Sequence, residues 1–222
     1  MLIDTDAQCN STGFYEAKTK GEATILDIFC GDMSASECVQ HTCKVDIIPS
    51  DKLLADAENM VKVDERRFTH LKRSLKSVDK LYNYIIMDTL PAIGVALKNV
   101  LGVAQFVIIL VEESGCALDG LMDFANALEL AKDNNDELTV AGILIVRAKD
   151  RTRKSKRMRE LADTIAEKLG TKQFQTRIRE SVVFAEALTE YYVPLSEYAQ
   201  NSTTNKDYKA FVDELIEVIR NG

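Results

Sequence analysis

The 222-residue sequence has only ten glycines and three prolines, and it has no long uncharged apolar run. This scarcity, with 46% hydrophobic and 28% charged residues, excludes disordered, collagen-like and low-complexity chains. The longest apolar run, at 106–111, stops at Glu112, far short of the roughly 18 residues that a membrane-spanning helix needs. No basic stretch followed by a long apolar one opens the sequence, so no secretory signal is visible. We therefore expect a cytoplasmic protein with no membrane partner.

The cysteine pattern argues against both disulfides and structural zinc. Five cysteines stand at irregular spacing, an odd number in a chain well above disulfide-scaffold size, so we interpret them as reduced thiols. Cys38, His41 and Cys43 lie close together in the sequence. Zinc sites normally show a second paired Cys or His spacing, which is absent, and we expect no metal there.

Short β-rich runs alternate with longer segments of helical period, which predicts one α/β domain over residues 1–222 with helices on a parallel sheet. Strands are predicted at residues 1–4, 45–48, 82–87, 106–111 and 139–146, with a weaker one at 173–177. Several are apolar at nearly every position, as strands buried on both faces should be. Helical periodicity is found at 116–132, 158–169 and 207–220, the second followed by Gly170 as a C-cap.

Carboxylates follow two of the predicted strands. Asp4 and Asp6 end the first one, and Asp88 ends the one at 82–87. The carboxyl ends of parallel strands face the crevice where α/β proteins bind ligands, and Mg²⁺ prefers oxygen ligands beside phosphates. A structural alternative stays open, in which Asp6 caps a turn and Asn10 or Ser11 caps a helix.

Five segments resemble motifs of the ParA/Soj family of deviant Walker-type ATPases, in family order and spacing, up to about residue 210. They are residues 2–12 (second motif), 82–94 (Walker B), 117–121, 142–152 and 178–187. The resemblance implies the family's three-layer P-loop NTPase fold, a mostly parallel sheet with helices on both faces.

The resemblance also implies roles for individual residues. Asp6 would orient or activate the attacking water, and Asp4 would belong to the environment of the metal and the switch region. Asp88 would be the Walker B carboxylate near Mg²⁺. Asn10 and Pro91 would contact the nucleotide, and the cofactors of a complete member would be Mg²⁺ and ATP.

The sequence departs from the family pattern at several places. Ala7 stands where the family usually has Pro, Cys9 where it often has Gly, and residues 179–181 where it has Pro-Arg-Asn beside the adenine. The phosphate loop, Lys-Gly-Gly-x-Gly-Lys-Thr-Thr, does not occur, and the first strand and helix that carry it are missing. The phosphate loop supplies lysines, a nest of backbone N–H groups and a hydroxyl that bind the phosphates and Mg²⁺. Without these groups we expect negligible ATPase activity.

The missing strand would be central in this type of sheet. Three outcomes are open: the neighbouring strands close the gap, a second chain fills it, or the sequence is a fragment or mis-started frame of a longer protein. The last is the outcome we favour, because unpaired apolar strand edges are costly.

A basic segment follows the strand at 139–146. Residues 147–159 contain eight basic groups and one acid, a local charge of 8 − 1 = +7 in a chain of net charge −7. Clustered Lys and Arg bind phosphates, although a charge run is usually a solvated helix face. No aromatic residue interleaves with it, which argues against stacking on single strands. The candidate DNA-binding residues are Arg147, Lys149, Arg151, Arg153, Lys154, Lys156 and Arg157.

The resemblance implies a nucleoid-associated ATPase of plasmid or chromosome partitioning. Such a protein dimerises around Mg-ATP, binds DNA nonspecifically, and is released when a centromere-binding partner stimulates hydrolysis. The alternative is a non-catalytic DNA-binding or interaction scaffold derived from the family. A membrane-associated MinD-like regulator is disfavoured, because residues 216–220 lack the strongly basic amphipathic character that anchoring requires.

Overall fold

The computed structural model describes residues 1–64, 66–90, 92–112, 118–149, 153–189 and 192–221, without the side chains of 118–123 and 153–155. The chain divides into two compact units. One contains Met1–Ala104 and Asn126–Leu138, and the other contains Gln105–Ala125 and Thr139–Gly222. Each unit is described by itself below, and the single domain over 1–222 stays a prediction.

The first unit contains a four-stranded sheet of order β2-β3-β1-β4. Its strands are β1 (Leu2–Asp4), β2 (Gln40–His41), β3 (Asp46–Ile48) and β4 (Ile86–Asp88). β1 pairs in parallel with both β3 and β4, whereas β2 pairs antiparallel with β3. The register sets Asp4 beside Asp88, so two acidic strand ends meet at one edge of the sheet.

Short helices cover this sheet. They are α1 (Asn10–Phe14), α2 (Ile25–Cys30), α3 (Ala35–Cys38), α4 (Ala57–Met60), α5 (His70–Leu75) and α6 (Val95–Leu101), with 3-10 helices at Lys52–Asp56 and Asp79–Leu81. α2 shows how local sequence defines such a helix. Thr24 and Asp27 form a capping box at its start, and Gly31 ends it at φ 82°, a left-handed conformation that favours glycine.

The core of the first unit is aliphatic and closely packed. Ile3, Ile25, Ile28, Phe29 and Leu71 are fully buried, and all belong to one cluster. Burying each such side chain contributes roughly 1.5–3 kcal/mol. This packing fixes β1, and therefore the position of Asp4 at its end.

The second unit is built on two parallel strands, β5 (Phe106–Glu112) and β6 (Thr139–Val146). Its helices are α8 (Arg153–Lys168), α9 (Val182–Thr189), α10 (Leu195–Tyr198) and α11 (Thr203–Asn221). The helix α7 (Leu118–Lys132) belongs to this unit up to Ala125 and to the first unit from Asn126. Residues Ala141, Leu144, Phe174, Ile178 and Phe211 form its buried cluster. The rings of Phe174 and Phe211 meet edge to face with centroids 5.0 Å apart, a pair worth about 1 kcal/mol beyond its burial.

The structure confirms most of the predicted elements. β1, β3, β5 and β6 lie within a residue or two of their predicted positions, and the three predicted helices correspond to α7, α8 and α11. The weak strand at 173–177 is reduced to an isolated bridge between Gln173 and Ile143. β2 was not predicted, because a two-residue strand has no periodicity of its own.

The predicted strand at 82–87 is wrong at its start, since β4 begins only at Ile86. The hydroxyl of Tyr82 instead donates to Oδ2 of Asp46 at 2.8 Å. Ile86 is 64% exposed, contrary to a strand buried on both faces, because β4 ends the sheet and pairs only with β1 among the described residues.

No helix in the described ranges has the length and apolar character needed to cross a membrane.

Candidate functional site

Asp4 is fully buried and its carboxylate accepts three hydrogen bonds. Its Oδ1 accepts from Asp6 N at 3.0 Å, and its Oδ2 accepts from Thr12 N at 2.8 Å and from the Thr12 hydroxyl at 2.7 Å. The Thr12 hydroxyl in turn accepts from Ser50 N at 2.8 Å. Asp4 therefore joins the end of β1 to the first turn of α1 and to the loop after β3.

Asp6 shapes the turn between β1 and α1. Its Oδ1 accepts from Gln8 N at 2.8 Å, and its carbonyl accepts from Cys9 N at 2.9 Å. Cys9 then adopts a left-handed φ of 56° immediately before α1. The structural role that the sequence left open for Asp6 is thus present, and a role in activating water stays a prediction.

Asp88 lies at the carboxyl end of β4 and is exposed. The Ser11 hydroxyl donates to its Oδ2 at 2.6 Å. Its carbonyl accepts from both the backbone N and the hydroxyl of Thr5, each at 2.8 Å. The end of β4 is therefore tied to the β1–α1 turn, and the strand register and the Asp6–Asp4 hydrogen bond bring Asp4, Asp6 and Asp88 to the same edge of the sheet.

No role in this cluster was predicted for Ser11, Thr12 or Ser50. The hydroxyls of Ser11 and Thr12 donate to Asp88 and Asp4, and the backbone N of Ser50 donates to the Thr12 hydroxyl. Ser50 is distant in sequence, and a lone Ser or Thr carries no pattern that marks it. Asn10 begins α1 and is exposed. Pro91, predicted to contact the nucleotide, lies outside the described residues.

The electrostatics of the cluster are acidic. Burial raises the pKa of the Cys9 thiol, and the carboxylates of Asp4, Asp51 and Asp6 raise it further. Cys9 therefore stays protonated at neutral pH and is a poor nucleophile. In the described part of the chain, no Lys or Arg side chain forms an ion pair with Asp4, Asp6 or Asp88.

The carboxylate and hydroxyl oxygens of this cluster suit Mg²⁺ as ligands better than they suit a phosphate. Mg²⁺ binds through one or two carboxylates and keeps several waters, which Asp88 with the Ser11 hydroxyl could support. No group of three or more His, Cys, Asp or Glu arranged to hold a metal by themselves is found among the described residues. A phosphate chain needs cations or backbone N–H groups, and the described residues of this cluster are mainly acceptors.

The Cys38–Cys43 segment forms a different arrangement from a metal site. Burial raises the pKa of the Cys38 thiol to about 12, and Nδ1 of His41 lies 2.6 Å from Oδ1 of Asp46. His41 is therefore engaged with a carboxylate of the neighbouring strand.

The basic segment lies in the second unit, and its first two cations are paired with acids. Arg147, at φ 51° directly after β6, contacts Glu112 at 2.8 Å and Glu180 at 3.2 Å. Lys149 contacts Glu180 at 3.1 Å. Hydrogen bonding to Lys149, and then to Arg147, holds the pKa of Glu180 below its usual value.

The remaining predicted DNA-binding residues lie at or near the start of α8. Lys156 and Arg157 are exposed, and Lys156 makes a long contact of 3.8 Å with Glu160. Arg151 lies outside the described residues. Arg153 and Lys154 begin α8, but their side chains are not described.

Known proteins that resemble this chain identify its family. A family model described as an AAA domain matches residues 1–140. The sporulation initiation inhibitor protein Soj of Bacillus subtilis is 32% identical over 156 residues, which span 68% of this chain and 62% of Soj. The chromosome partitioning protein ParA of Caulobacter vibrioides is 25% identical over 193 residues, covering 84% of this chain and 71% of ParA.

A solved structure shows the same fold. It is cobyrinic acid a,c-diamide synthase from Mycobacterium smegmatis with a bound ATP analogue and magnesium, which superposes with a TM-score of 0.72 at 23% identity. The match covers 81% of this chain and 74% of that one. The fold is therefore that of the P-loop NTPases, and the chain belongs to the ParA/Soj family of partition ATPases in the ParA/MinD superfamily.

Proposed function

We propose that this chain acts in plasmid or chromosome partitioning as a ParA-type protein that binds Mg-ATP, dimerises and binds DNA nonspecifically. The observation that carries the nucleotide part is the convergence of Asp4, Asp6 and Asp88 at the carboxyl ends of two adjacent parallel strands, where such sheets bind ligands. Family membership supports the rest, including a centromere-binding protein as partner and a place on the nucleoid.

Each residue of the cluster has a distinct part in this proposal. Asp88, aimed by the Ser11 hydroxyl, would hold Mg²⁺ through water. When bound, Mg²⁺ supplies positive charge that neutralises phosphate oxygens. Asp4 holds the β1–α1 turn in position, and Asp6 lies on that turn, where it would orient a water molecule.

The DNA part of the proposal rests on α8. Lys156 and Arg157 are exposed on the second unit, and exposed cations bind DNA by releasing its counterions. The proposed release from DNA, stimulated by a partner protein, is supported by family membership alone.

The second candidate function is a non-catalytic DNA-binding or interaction scaffold. One observation favours it: the carboxylates of Asp4, Asp6 and Asp88 have no Lys or Arg ion-pair partner within the described ranges. Phosphoryl transfer depends on such cations to stabilise the charge that spreads over the phosphate. A chain of this kind would bind DNA without nucleotide.

Calorimetric titration of Mg-ATP separates the two candidates. The wild type, Asp88→Asn and the control Asp136→Asn, which removes an exposed carboxylate elsewhere in the first unit, are compared after a monodispersity check. We expect binding to the wild type and the control that needs Mg²⁺ and is weakened about tenfold or more by Asp88→Asn. Binding that Asp88→Asn leaves unchanged would contradict the site, and no binding to a folded wild type would favour the scaffold.

DNA binding is tested on a fluorescent duplex at several salt concentrations. Replacing Lys156 and Arg157 by Ala should weaken binding and reduce the slope of log affinity against log salt by about 2. The matched control replaces Lys206 and Lys209, both exposed on α11 of the same unit, and should leave the slope nearly unchanged.

A further inference from the structure

Two carboxylates occupy the beginning of the basic segment. The guanidinium of Arg147 lies between Glu112 and Glu180, with N–O distances of 2.8 and 3.2 Å, and Nζ of Lys149 lies 3.1 Å from the second carboxylate oxygen of Glu180. These four side chains sum to zero charge. The local charge of +7 counted along the sequence therefore overstates the cationic surface by two groups.

Main-chain hydrogen bonds position Glu180 beside the two cations. Ala148, between Arg147 and Lys149, forms an isolated parallel bridge with Arg179. Its carbonyl accepts from Glu180 N at 3.1 Å, and its N donates to Ile178 O at 2.9 Å. Glu180 is thus held next to both cations by main-chain hydrogen bonds.

Glu112 is fixed in a similar way. Glu112 is the last residue of β5 and is paired with Val146, the last residue of β6. Arg147 follows Val146 in the chain. The left-handed φ of 51° at Arg147 turns the chain at this point. A non-glycine residue is uncommon in that conformation.

The ion pairs are accessible to a competing anion. The side chains of Arg147 and Lys149 are 60% and 53% exposed, and those of Glu112 and Glu180 are 40% and 39% exposed. Exposed ion pairs of this kind are weak. A DNA phosphate can therefore displace a carboxylate from them, but it must compete with that carboxylate to do so.

We infer that Glu180, with Glu112 beside it, is an acidic competitor that limits the affinity of the basic surface for DNA by occupying Arg147 and Lys149. The inference rests on the proposed DNA binding and adds its regulation. Glu180 therefore belongs to the DNA-binding surface and lowers the affinity of that surface for DNA. Loss of the Glu180 charge removes its contacts with Arg147 and Lys149 and weakens the competition for phosphate, while the contact of Arg147 with Glu112 stays.

The test compares Glu180→Gln with wild type on a labelled duplex at several salt concentrations, using the full chain. The weaker competition should add about one phosphate contact, so we expect roughly tenfold tighter binding near 0.1 M salt and a log–log slope steeper by about one. The matched control is Glu217→Gln, which makes the same charge change at an exposed position of α11. A similar gain with Glu217→Gln would overturn the inference, because net charge alone would then explain it.

A double-mutant cycle gives a second test that does not depend on one variant. Glu180→Gln should have no effect when Arg147 and Lys149 are both replaced by Gln. A persisting gain in that background would refute competition for these cations. If the wild type and Glu180→Gln both show no salt-sensitive DNA binding, the proposed function fails and the inference fails with it. If the wild type binds DNA and Glu180→Gln does not change that binding, the inference is overturned but the proposed function stands.

Discussion

Asp4→Ala should be the most destabilising single substitution in the acidic cluster. Asp4 is fully buried, and its carboxylate accepts from Asp6 N, Thr12 N and the Thr12 hydroxyl. The hydroxyl keeps its bond from Ser50 N, but the two backbone N–H groups lose their partner. Each stranded buried N–H costs about 1–3 kcal/mol, so we expect a loss of about 4 kcal/mol in the free energy of unfolding.

Urea denaturation followed by circular dichroism measures this loss. Asp4→Asn keeps one carbonyl acceptor and should lose about half as much, near 2 kcal/mol. The control Asp136→Ala, at an exposed position, should stay within about 0.5 kcal/mol of wild type. An Asp4→Ala variant within about 1 kcal/mol of wild type would refute the argument that this carboxylate anchors the β1–α1 turn.

Two further predictions concern a turn and an ion pair. Gly31→Ala should cost about 2 kcal/mol, measured by the same denaturation, because Gly31 has φ +82° and a Cβ there would clash with the His70 ring. Arg179→Gln should cost about 1 kcal/mol at neutral pH, because Arg179 binds both oxygens of Asp207, at 2.8 and 2.6 Å. Burial raises the pKa of Asp207, but the hydrogen bonds from Arg179 lower it more, so the pKa of this carboxyl lies below its usual value. This contribution is therefore present above the usual pKa of an Asp carboxyl and is lost as the pH falls through the folded-state pKa, so the difference between wild type and Arg179→Gln should shrink in acid.

Matched variants control both predictions. Gly21 also has a left-handed φ, +78°, but a Cβ added there would meet nothing within 4 Å. Gly21→Ala therefore carries the backbone strain without the His70 contact, and an equal cost at both glycines would argue against that contact. Arg220→Gln removes an exposed arginine of α11. A pH profile for Arg179→Gln that runs parallel to that of Arg220→Gln would contradict the linkage to Asp207.

Local sequence determined the elements with strong patterns of their own. β6 was predicted at its observed bounds, because eight consecutive residues of this strand suit a buried parallel position. α8 was predicted from apolar residues that recur at helical spacing. The sequence also placed Asp4 and Asp88 at the carboxyl ends of parallel strands, which face one edge of a sheet, but the pairing of Asp4 with Asp88 came from the register of the folded strands.

Only the tertiary structure decided which polar groups pair. Glu180 is 33 residues from Arg147, and Ser11 is 77 residues from Asp88. No local pattern links such residues, because hydrogen bonds and ion pairs depend on where the folded backbone brings two side chains. The sequence therefore predicted a basic segment and an acidic strand end. In the folded protein, Glu112 and Glu180 pair with the first cations of the basic segment, and Ser11 joins Asp88 to the start of α1.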